Sequence, residues 1–253
     1  MDWLTAINTV LLVALALMAV MLLRKTRRID KQIWDWEARL GRMLLTQYQQ
    51  LEAREILQKM LGLPDSLPGT RGWAGAPDFL LALAHHALEQ KPETIVECSS
   101  GTSTVVLAQC ARLNGKGHVY SLESDAEFAE QTRRNLAMQG LSDWATVYHA
   151  PLMNTEAGGR SGQWYSIEGL PQRAIDLLVI DGPPAISDPC VRFFAGPKLF
   201  ERISTGGAVF LDDADRVGEK QITSRWKEMF PAWKFECLQA EKGILKISAA
   251  APA

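Results

Sequence analysis

Hydrophobic residues are most concentrated in one long run near the start of the chain. Trp3–Leu23 contains no charged side chain, and its last fourteen residues show no polar face. A helix of this length spans roughly 31 Å, close to the thickness of a bilayer's hydrocarbon core. The alternative, a signal peptide, normally begins with positive charge, whereas Asp2 is the only charged residue before the run. We therefore predict a transmembrane helix over residues 1–23.

The hydrophobic pattern then changes to the spacing of an amphipathic helix over residues 24–61. Five apolar positions alternate at intervals of four and three residues, which is a heptad pattern: Ile29, Ile33, Trp36, Leu40 and Met43. Two interpretations stay open for this short pattern. It is either a coiled-coil stalk that forms a homodimer, or an amphipathic helix that lies on the domain or the membrane surface. Residues 62–77 are rich in glycine and proline, which predicts a linker.

Helical and strand patterns alternate over residues 78–253, which predicts an α/β domain with a mostly parallel sheet. Four helices are predicted, at residues 78–90, Ser103–Leu113, from a Ser124–Glu127 capping box to Gly140, and around Glu219–Phe230. Seven strands are predicted, the last two joined by a short turn: Thr94–Glu97, His118–Leu122, Ala145–His149, Ile175–Ile180, Ala208–Leu211, Trp233–Leu238 and Gly243–Ile247.

Charge is distributed unevenly along the chain. The net charge is −2 over 253 residues, but residues 1–43 carry seven basic and four acidic side chains. The basic ones that follow the hydrophobic run are Arg24, Lys25, Arg27, Arg28 and Lys31. By the positive-inside rule, this predicts a single-pass membrane protein with its domain in the cytoplasm. Four widely spaced cysteines fit reduced thiols in that compartment, and the lack of a basic excess argues against a nucleic-acid partner.

Two features with chemical potential follow consecutive strands. The segment Glu97–Ser103 (ECSSGTS) is a turn of small residues between a strand and a helix, and Glu123 ends the next strand. Small residues let a backbone approach a ligand closely, and a carboxylate at the second position accepts hydrogen bonds from a ribose diol. The pair favours an adenosine-containing ligand. A nicotinamide dinucleotide is less suitable, because the turn has a single glycine.

Four segments together resemble the class I S-adenosylmethionine-dependent methyltransferases. They are Val96–Thr104, Ser121–Glu123, Asp176–Pro184 and Gly206–Asp213. The resemblance covers roughly residues 72–248. It is strongest to a bacterial branch with Asp-Gly-Pro-Pro after strand four. It implies a Rossmann-like, doubly wound, mostly parallel seven-stranded sheet with a C-terminal antiparallel hairpin, preceded here by the transmembrane helix and helical stalk.

The resemblance also implies roles for individual residues around the cofactor. It assigns Glu97 and Gly101 to the methionine end of S-adenosylmethionine and Glu123 to the ribose. His149 and Ala150 fall where the family lines the adenine. The other turn residues that it places at the cofactor are Ser99, Ser100, Thr102 and Ser103. The family usually has glycine at the position of Ser99, so this turn must tolerate a side chain.

Three carboxylates follow strands four and five, beside the expected methyl position. We expect Asp181 and Asp212 to be catalytic, because an acceptor must be oriented and lose a proton during methyl transfer. Asp181, Asp212 and Asp213 together could instead hold Mg²⁺, which prefers oxygen ligands.

Several other residues have two possible roles in the sequence. Arg192 and Arg216 either bind an anionic substrate or pair with nearby carboxylates. The aromatic residues Trp73, Trp164 and Tyr165 either line a pocket or pack locally. The glycine-containing segment Asn154–Gln163 is a candidate mobile lid.

The sequence thus predicts methyl transfer from S-adenosylmethionine to a small-molecule or lipid-like acceptor at the cytoplasmic face of a membrane. Two alternatives stay open. One is a membrane-anchored nucleotide-sugar transferase that uses the D-x-D triplet Asp213-Ala214-Asp215. The other is a non-catalytic membrane scaffold that keeps the methyltransferase fold.

Overall fold

The long N-terminal helix extends through both segments that the sequence separates into membrane span and stalk. The computed structural model describes residues 2–62, 69, 75–186 and 188–249. The chain forms two compact units, Met1–Gln49 and Gln50–Ala253. Helix α1 (Trp3–Leu61) provides the first unit and the beginning of the second. Its most apolar 18-residue window has a mean hydropathy of 2.6, and no side chain in that window is buried.

The second unit begins within α1. Side chains along one face of its last turns are buried in the globular unit: Gln50, Ala53, Leu57 and Leu61. One face of residues 50–61, which the sequence places in the stalk, therefore packs in the core, because buried side chains recur there about once per helical turn. Most of the predicted linker 62–77 lies outside the described residues, and the next helix begins at Pro77.

The other helices and strands of the second unit alternate along the chain. The longer helices are α2 (Pro77–Gln90), α3 (Thr102–Asn114), α4 (Ala126–Met138), α5 (Ala195–Leu199) and α6 (Val217–Met229), with 3₁₀ turns at Ser142–Trp144, Val191–Phe194 and Phe200–Arg202. The strands are β1 (Thr94–Cys98), β2 (His118–Glu123), β3 (Ala145–His149), β4 (Leu152–Ala157), β5 (Arg160–Tyr165), β6 (Ile175–Ile180), β7 (Ile203–Leu211), β8 (Lys234–Leu238) and β9 (Ile244–Ser248).

Seven strands form one sheet in the order β3-β2-β1-β6-β7-β9-β8. The first five are parallel, and β9 pairs antiparallel with both β7 and β8. This confirms the expected Rossmann-like, mostly parallel sheet with a closing hairpin. The chain builds outward from β1 to β3, then returns to β6 on the other side of β1. The strand order therefore reverses between β1 and β6, where ligands bind in open α/β sheets.

Alternate residues of the central strands enter two separate cores. In β6, Leu177 and Val179 pack with helices α2, α3 and α4, whereas Leu178 and Ile180 pack with Trp226 of α6 on the opposite face. All four strand residues are fully buried. This burial on both faces explains why β6 is apolar throughout except for Asp176, as a central parallel strand requires.

The segment Asn154–Gln163, a candidate mobile lid in the sequence, lies in a separate two-stranded hairpin, β4–β5. Gly158 and Gly159 form its two-residue turn with φ angles of 58° and 70°. A second difference concerns the start of α4. Asp125 caps this helix, not Ser124, because its carboxylate accepts hydrogen bonds from the amides of Glu127 and Phe128 at 2.8 and 3.0 Å.

Candidate active site

A cavity of about 520 Å³ opens where the strand order reverses. It lies at the carboxyl ends of the parallel strands, so residues that follow β1, β2, β6 and β7 line it together. The described residues around it are Ser99, Ser100, Glu123, Ser124, Asp125, Phe128, Leu152, Asp181, Pro184, Ile186, Arg192, Asp212, Asp213, Arg216 and Lys242. The volume lies within the range of sites that hold small molecules and cofactors.

The turn after β1 forms one wall of this cavity. Ser99 has a φ of 118°, a conformation in which glycine is favoured, and its amide donates to the carbonyl of Leu122 at 2.9 Å. This strained backbone is the physical counterpart of the glycine that the resembled family has here. Ser100 follows, and its hydroxyl lies 3.0 Å from the Thr132 hydroxyl. The turn therefore connects β1 to α4 as well as to α3.

Glu123 ends β2 and faces the same cavity. One carboxylate oxygen accepts hydrogen bonds from the Ser100 amide and hydroxyl, at 3.0 and 3.1 Å. The other accepts from the Asp125 amide at 3.1 Å and from the Ser124 hydroxyl at 3.5 Å. The carboxylate is thus held between the turns after β1 and β2. Two of its four donors are hydroxyl groups on flexible side chains.

Glu97 lies beneath the turn and not in the cavity wall. Its side chain is fully buried, and one carboxylate oxygen accepts from the hydroxyls of Thr104 and Ser121. The other oxygen has no hydrogen-bond partner among the described residues. Burial raises the pKa of Glu97, although the hydroxyl groups of Ser103, Ser121 and Thr104 oppose this change.

The remaining residues expected around the cofactor occupy two other places. Thr102 and Ser103 are buried in the first turn of α3, and Gly101 precedes this helix, with its amide donating to Thr104 at 3.0 Å. His149 ends β3 beside Glu123, and Ala150 follows it, with its amide donating to the Glu123 carbonyl. None of these five residues lines the cavity.

The three aspartates do come together at the other end of the cavity. Ligand atoms from Asp181, Asp212 and Asp213 all lie within 4.8 Å of one another. Burial, followed by the neighbouring Asp212, raises the pKa of Asp181 well above its ordinary value. Burial and Asp213 raise the pKa of Asp212 to about 6. These are the pKa changes expected when carboxylates share a poorly solvated site.

Arg192 lies among these carboxylates. Its guanidinium is 3.2 Å from the Asp213 carboxylate and 3.5 Å from that of Asp181. Arg216 also pairs with Asp213, at 2.9 Å. The structure thus supports carboxylate pairing for both arginines. The cluster does not fit Mg²⁺, because that ion needs carboxylate oxygens at about 2.0–2.1 Å in a near-octahedral shell that the guanidinium would disrupt.

The β4–β5 hairpin packs next to the cavity, and Leu152 of β4 lines it. Trp164 and Tyr165 are buried in the core, which assigns them to packing, and Trp73 lies outside the described residues. The Tyr165 hydroxyl lies so close to Gly182 that a Cβ atom at that glycine would collide with it. Arg160 anchors the hairpin through an ion pair with Asp188 at 2.5 Å.

Several cavity residues were not among those identified from the sequence. Phe128 comes from α4, Leu152 from β4 and Lys242 from the turn before β9. No motif contains them, since each reaches the cavity through tertiary packing. The sequence signal available for Phe128 was Asp125, a residue type that often caps helices, because it marks the start of α4 soon after Glu123.

Residues 96–214 match the family model for a methyltransferase domain. A comparison with curated proteins gives no match. Among solved structures, the SAH-bound methyltransferase PaMTH1 of Podospora anserina shares 14% identity with a TM-score of 0.53, covering 79% of this chain and 87% of that one. The O-methyltransferase of Bacillus cereus in complex with SAH shares 18% identity with a TM-score of 0.51, covering 81% and 97%.

A SAM-dependent O-methyltransferase of Thermotoga maritima is also similar, at 17% identity and a TM-score of 0.51, covering 73% of this chain and 69% of that one. At such low identities the structural likeness shows a shared fold alone. The strand order, the reversal at β1 and β6 and the antiparallel β9 agree with it. The second unit therefore has the class I methyltransferase fold, and residues 96–214 resemble the methyltransferase domain family.

Proposed function

We propose that this chain transfers a methyl group from S-adenosylmethionine to an oxygen atom of an apolar or membrane-associated acceptor. The observation that supports this best is the cavity itself. It joins the turn after β1, the carboxylate of Glu123 and the aspartate cluster in one continuous space. The family match and the S-adenosylhomocysteine-bound neighbours support the same cofactor.

The described residues fit the cofactor in size and charge. The cavity wall carries five carboxylates against three cationic side chains, which suits a sulfonium ligand of net positive charge. The hydroxyls of Ser100 and Ser124 occupy two acceptor positions on Glu123 that a ribose diol would take. Bound S-adenosylmethionine supplies an electrophilic methyl group.

Asp181 is the residue that we expect to handle the acceptor's proton. Its side chain reaches the cavity while remaining only 12% exposed, and its raised pKa makes it a stronger base than an ordinary aspartate. Asp212 follows the neighbouring strand and shares the same poorly solvated space. A hydroxyl group beside these carboxylates would transfer its proton to one of them as its oxygen gains a methyl group.

The acceptor class is proposed from the apolar part of the cavity. Phe128, Leu152, Pro184 and Ile186 form this part, and the side chains of Phe128 and Ile186 are largely exposed. These residues favour an apolar or aromatic acceptor over a strongly charged one. An acceptor that dissolves in membranes is consistent with the uncharged run Trp3–Leu23, whose side chains are exposed.

We further propose that Trp3–Leu23 spans a membrane and that the second unit faces the cytoplasm. The length and hydropathy of α1 support the span, and the five basic residues after it support the orientation. The sugar-transferase alternative is not favoured. In the D-x-D triplet, Asp213 is buried beside Arg192 whereas the exposed Asp215 pairs with Lys220, so the two carboxylates do not form one site.

Calorimetry with the purified full chain in detergent tests the cofactor. We expect binding of both S-adenosylmethionine and S-adenosylhomocysteine. Glu123→Gln should weaken it by at least about tenfold, because a charge-assisted contact is lost. Glu127→Gln is the matched control, since Glu127 is exposed in the first turn of α4. Absence of binding by both compounds would overturn the proposed function.

A second experiment identifies the acceptor. The purified chain is incubated with a methyl-labelled donor and separate membrane and soluble extracts, and labelled products are then extracted into organic solvent. The proposal expects label in an apolar product from the membrane extract. Label confined to a water-soluble, charged product would contradict the acceptor class while leaving methyl transfer intact.

A further inference from the structure

Arg192 makes a set of contacts that connects the ends of two central strands. One terminal nitrogen donates to the Asp181 carbonyl at 2.6 Å, and the other donates to the Asp212 carbonyl at 3.1 Å. Asp181 follows β6 and Asp212 follows β7, so the guanidinium bridges the two strands at the edge of the cavity. The Arg192 side chain is 4% exposed, so water hardly competes for these hydrogen bonds.

The same guanidinium is also surrounded by negative charge. Asp213 lies 3.2 Å away, Asp181 3.5 Å and Glu219 3.7 Å. Arg216 and Lys242 contact Asp213 from the solvent side, at 2.9 and 3.9 Å. Of the three described cations that contact the cluster, Arg192 is the buried one, since the side chains of Arg216 and Lys242 are 50% and 39% exposed.

We propose that Arg192 is the resident cation of the aspartate cluster and occupies the place of a divalent metal ion. This inference rests on the proposed function, because it concerns how the methyltransferase site holds its acidic groups. Arg192 is a positioning residue: it fixes the carbonyls that follow β6 and β7, and thereby the direction in which the Asp181 and Asp212 side chains enter the cavity. The site consequently works without Mg²⁺.

Arginine is suited to this role in a way that lysine is not. Its planar guanidinium presents several donors in fixed directions, so it donates to two carbonyls and lies within 4 Å of three carboxylates at once. The short 3₁₀ turn Val191–Phe194 supplies its position, and the buried rings of Phe193 and Phe194 hold that turn in the core. A lysine at this position would keep the charge but bridge fewer of these groups.

Mn²⁺ is the probe that tests the inference, because its electron paramagnetic resonance signal reports binding without any acceptor. We expect the full chain in detergent to leave millimolar Mn²⁺ unbound. Arg192→Ala should open the cluster and bind Mn²⁺ at least about tenfold more tightly than the wild type, with a rise in melting temperature when the ion is added. Mg²⁺ should compete for the same place.

Two matched variants separate this role from a general effect of charge. Arg216→Ala removes a cation from the same Asp213 but leaves Arg192 in place. We therefore expect this variant to bind no Mn²⁺, like the wild type. Arg192→Lys should also bind no Mn²⁺, because a cation remains at this position. A merely structural role for Arg192 would predict loss of stability in Arg192→Ala that Mn²⁺ does not reverse.

The wild-type measurement decides the inference even if Arg192→Ala does not fold. Stoichiometric Mn²⁺ binding by the wild type, displaced by Mg²⁺, would overturn it, and its absence would support it. S-adenosylhomocysteine affinity is measured separately, with chelator and with Mg²⁺, and should be the same in both. Failure of S-adenosylhomocysteine to bind at all would contradict the proposed function, which makes the two failures distinguishable.

Discussion

Ser99 holds a backbone conformation that serine rarely adopts, in the turn that touches the candidate cofactor cavity. Its φ of 118° carries a conformational cost of about 1–3 kcal/mol for a residue with a Cβ atom. We expect Ser99→Gly to stabilise the chain by about 1 kcal/mol, since the relief of strain exceeds the added entropy of an unfolded glycine. Thermal unfolding of the full chain in detergent measures this change.

Ser100→Gly is the control for that prediction. Ser100 lacks a positive φ, and its hydroxyl contacts both Glu123 and Thr132. Removing the hydroxyl should therefore destabilise the chain by about 1 kcal/mol. If Ser99→Gly lowers the melting temperature as Ser100→Gly does, the strain at Ser99 is not the dominant effect.

Gly182 has no room for a side chain, because the Tyr165 hydroxyl and the Ser99 Cβ lie against it. We expect Gly182→Ala to destabilise the chain by about 1–3 kcal/mol through overpacking. The loss should be smaller in a Tyr165→Phe background, where the colliding hydroxyl is absent. A double-mutant cycle of melting temperatures measures the coupling, and additive effects would argue against this contact as the cause.

At the scale of whole elements, the central strands were the most predictable part of the fold. Ile175–Ile180 was predicted with its observed bounds, because a strand buried on both faces is a short apolar run. The edge strand Ala145–His149, which is only partly buried, was also predicted with its observed bounds. β7 was predicted to begin at Ala208 but begins at Ile203, since Ser204–Gly207 looks like a loop in the sequence. The polar start of this strand lies where the sheet meets solvent.

Sequence reasoning missed the β4–β5 hairpin, as it missed the short helix α5. Both strands are mostly polar and partly exposed, so they lack the apolar run that marks a buried strand. Gly158-Gly159 between them is a recognised signal for a two-residue hairpin turn. The sequence did not indicate that Trp164 and Tyr165 at the end of β5 pack into the core.

The stalk helix gives a prediction at the same scale. Three residues of the heptad pattern, Ile33, Leu40 and Met43, are about half-exposed or more. This exposure is expected if a second copy of the chain covers them. We expect Leu40→Cys, oxidised in native membranes, to form a covalent dimer. Replacing the partly accessible Cys190 and exposed Cys237 by serine removes competing thiols.

Asp35→Cys is the matched control for the crosslink, because Asp35 lies on the outer side of the heptad pattern. It should remain monomeric under the same conditions. Equal crosslinking at both positions, or none at either, would favour the alternative in which the helix lies on a membrane surface.

At the scale of the whole molecule, the net charge of −2 combines a basic N-terminal segment with an acidic remainder. This separation underlies the proposed orientation in a membrane. We expect the wild type to resist extraction by high salt, and protease added to the cytoplasmic face to cleave the second unit. Protection of the second unit from that face would contradict the orientation.

Arginine substitutions test the span itself. Leu12→Arg together with Leu15→Arg should release the chain into the soluble fraction, since each charge near the centre of a helix costs about 2.5–3.5 kcal/mol on insertion. Leu113→Arg is the control, because Leu113 is an exposed leucine in the second unit. If the double variant stays in the membrane, the uncharged run is not the anchor.

The candidate site was predictable only in part, for a reason that concerns the whole fold. Asp181, Asp212 and Asp213 were identified because parallel strands end at one edge of a sheet, and this edge is where they meet. Arg192 was given two possible roles, since its distance from the aspartates depends on how Val191–Phe194 packs in the core. Periodicity and motifs contain no information on that packing.

The position of β9 has a consequence for how the protein is made. This strand lies between β7 and β8, although it follows both along the chain, and the turn before it carries Lys242 to the cavity. A ribosome must therefore synthesise the chain through residue 248 before the sheet can close. The hydrophobic run at the N-terminus emerges long before that, so targeting to a membrane would precede completion of the fold. The last hairpin would then be added to a domain already held at the bilayer.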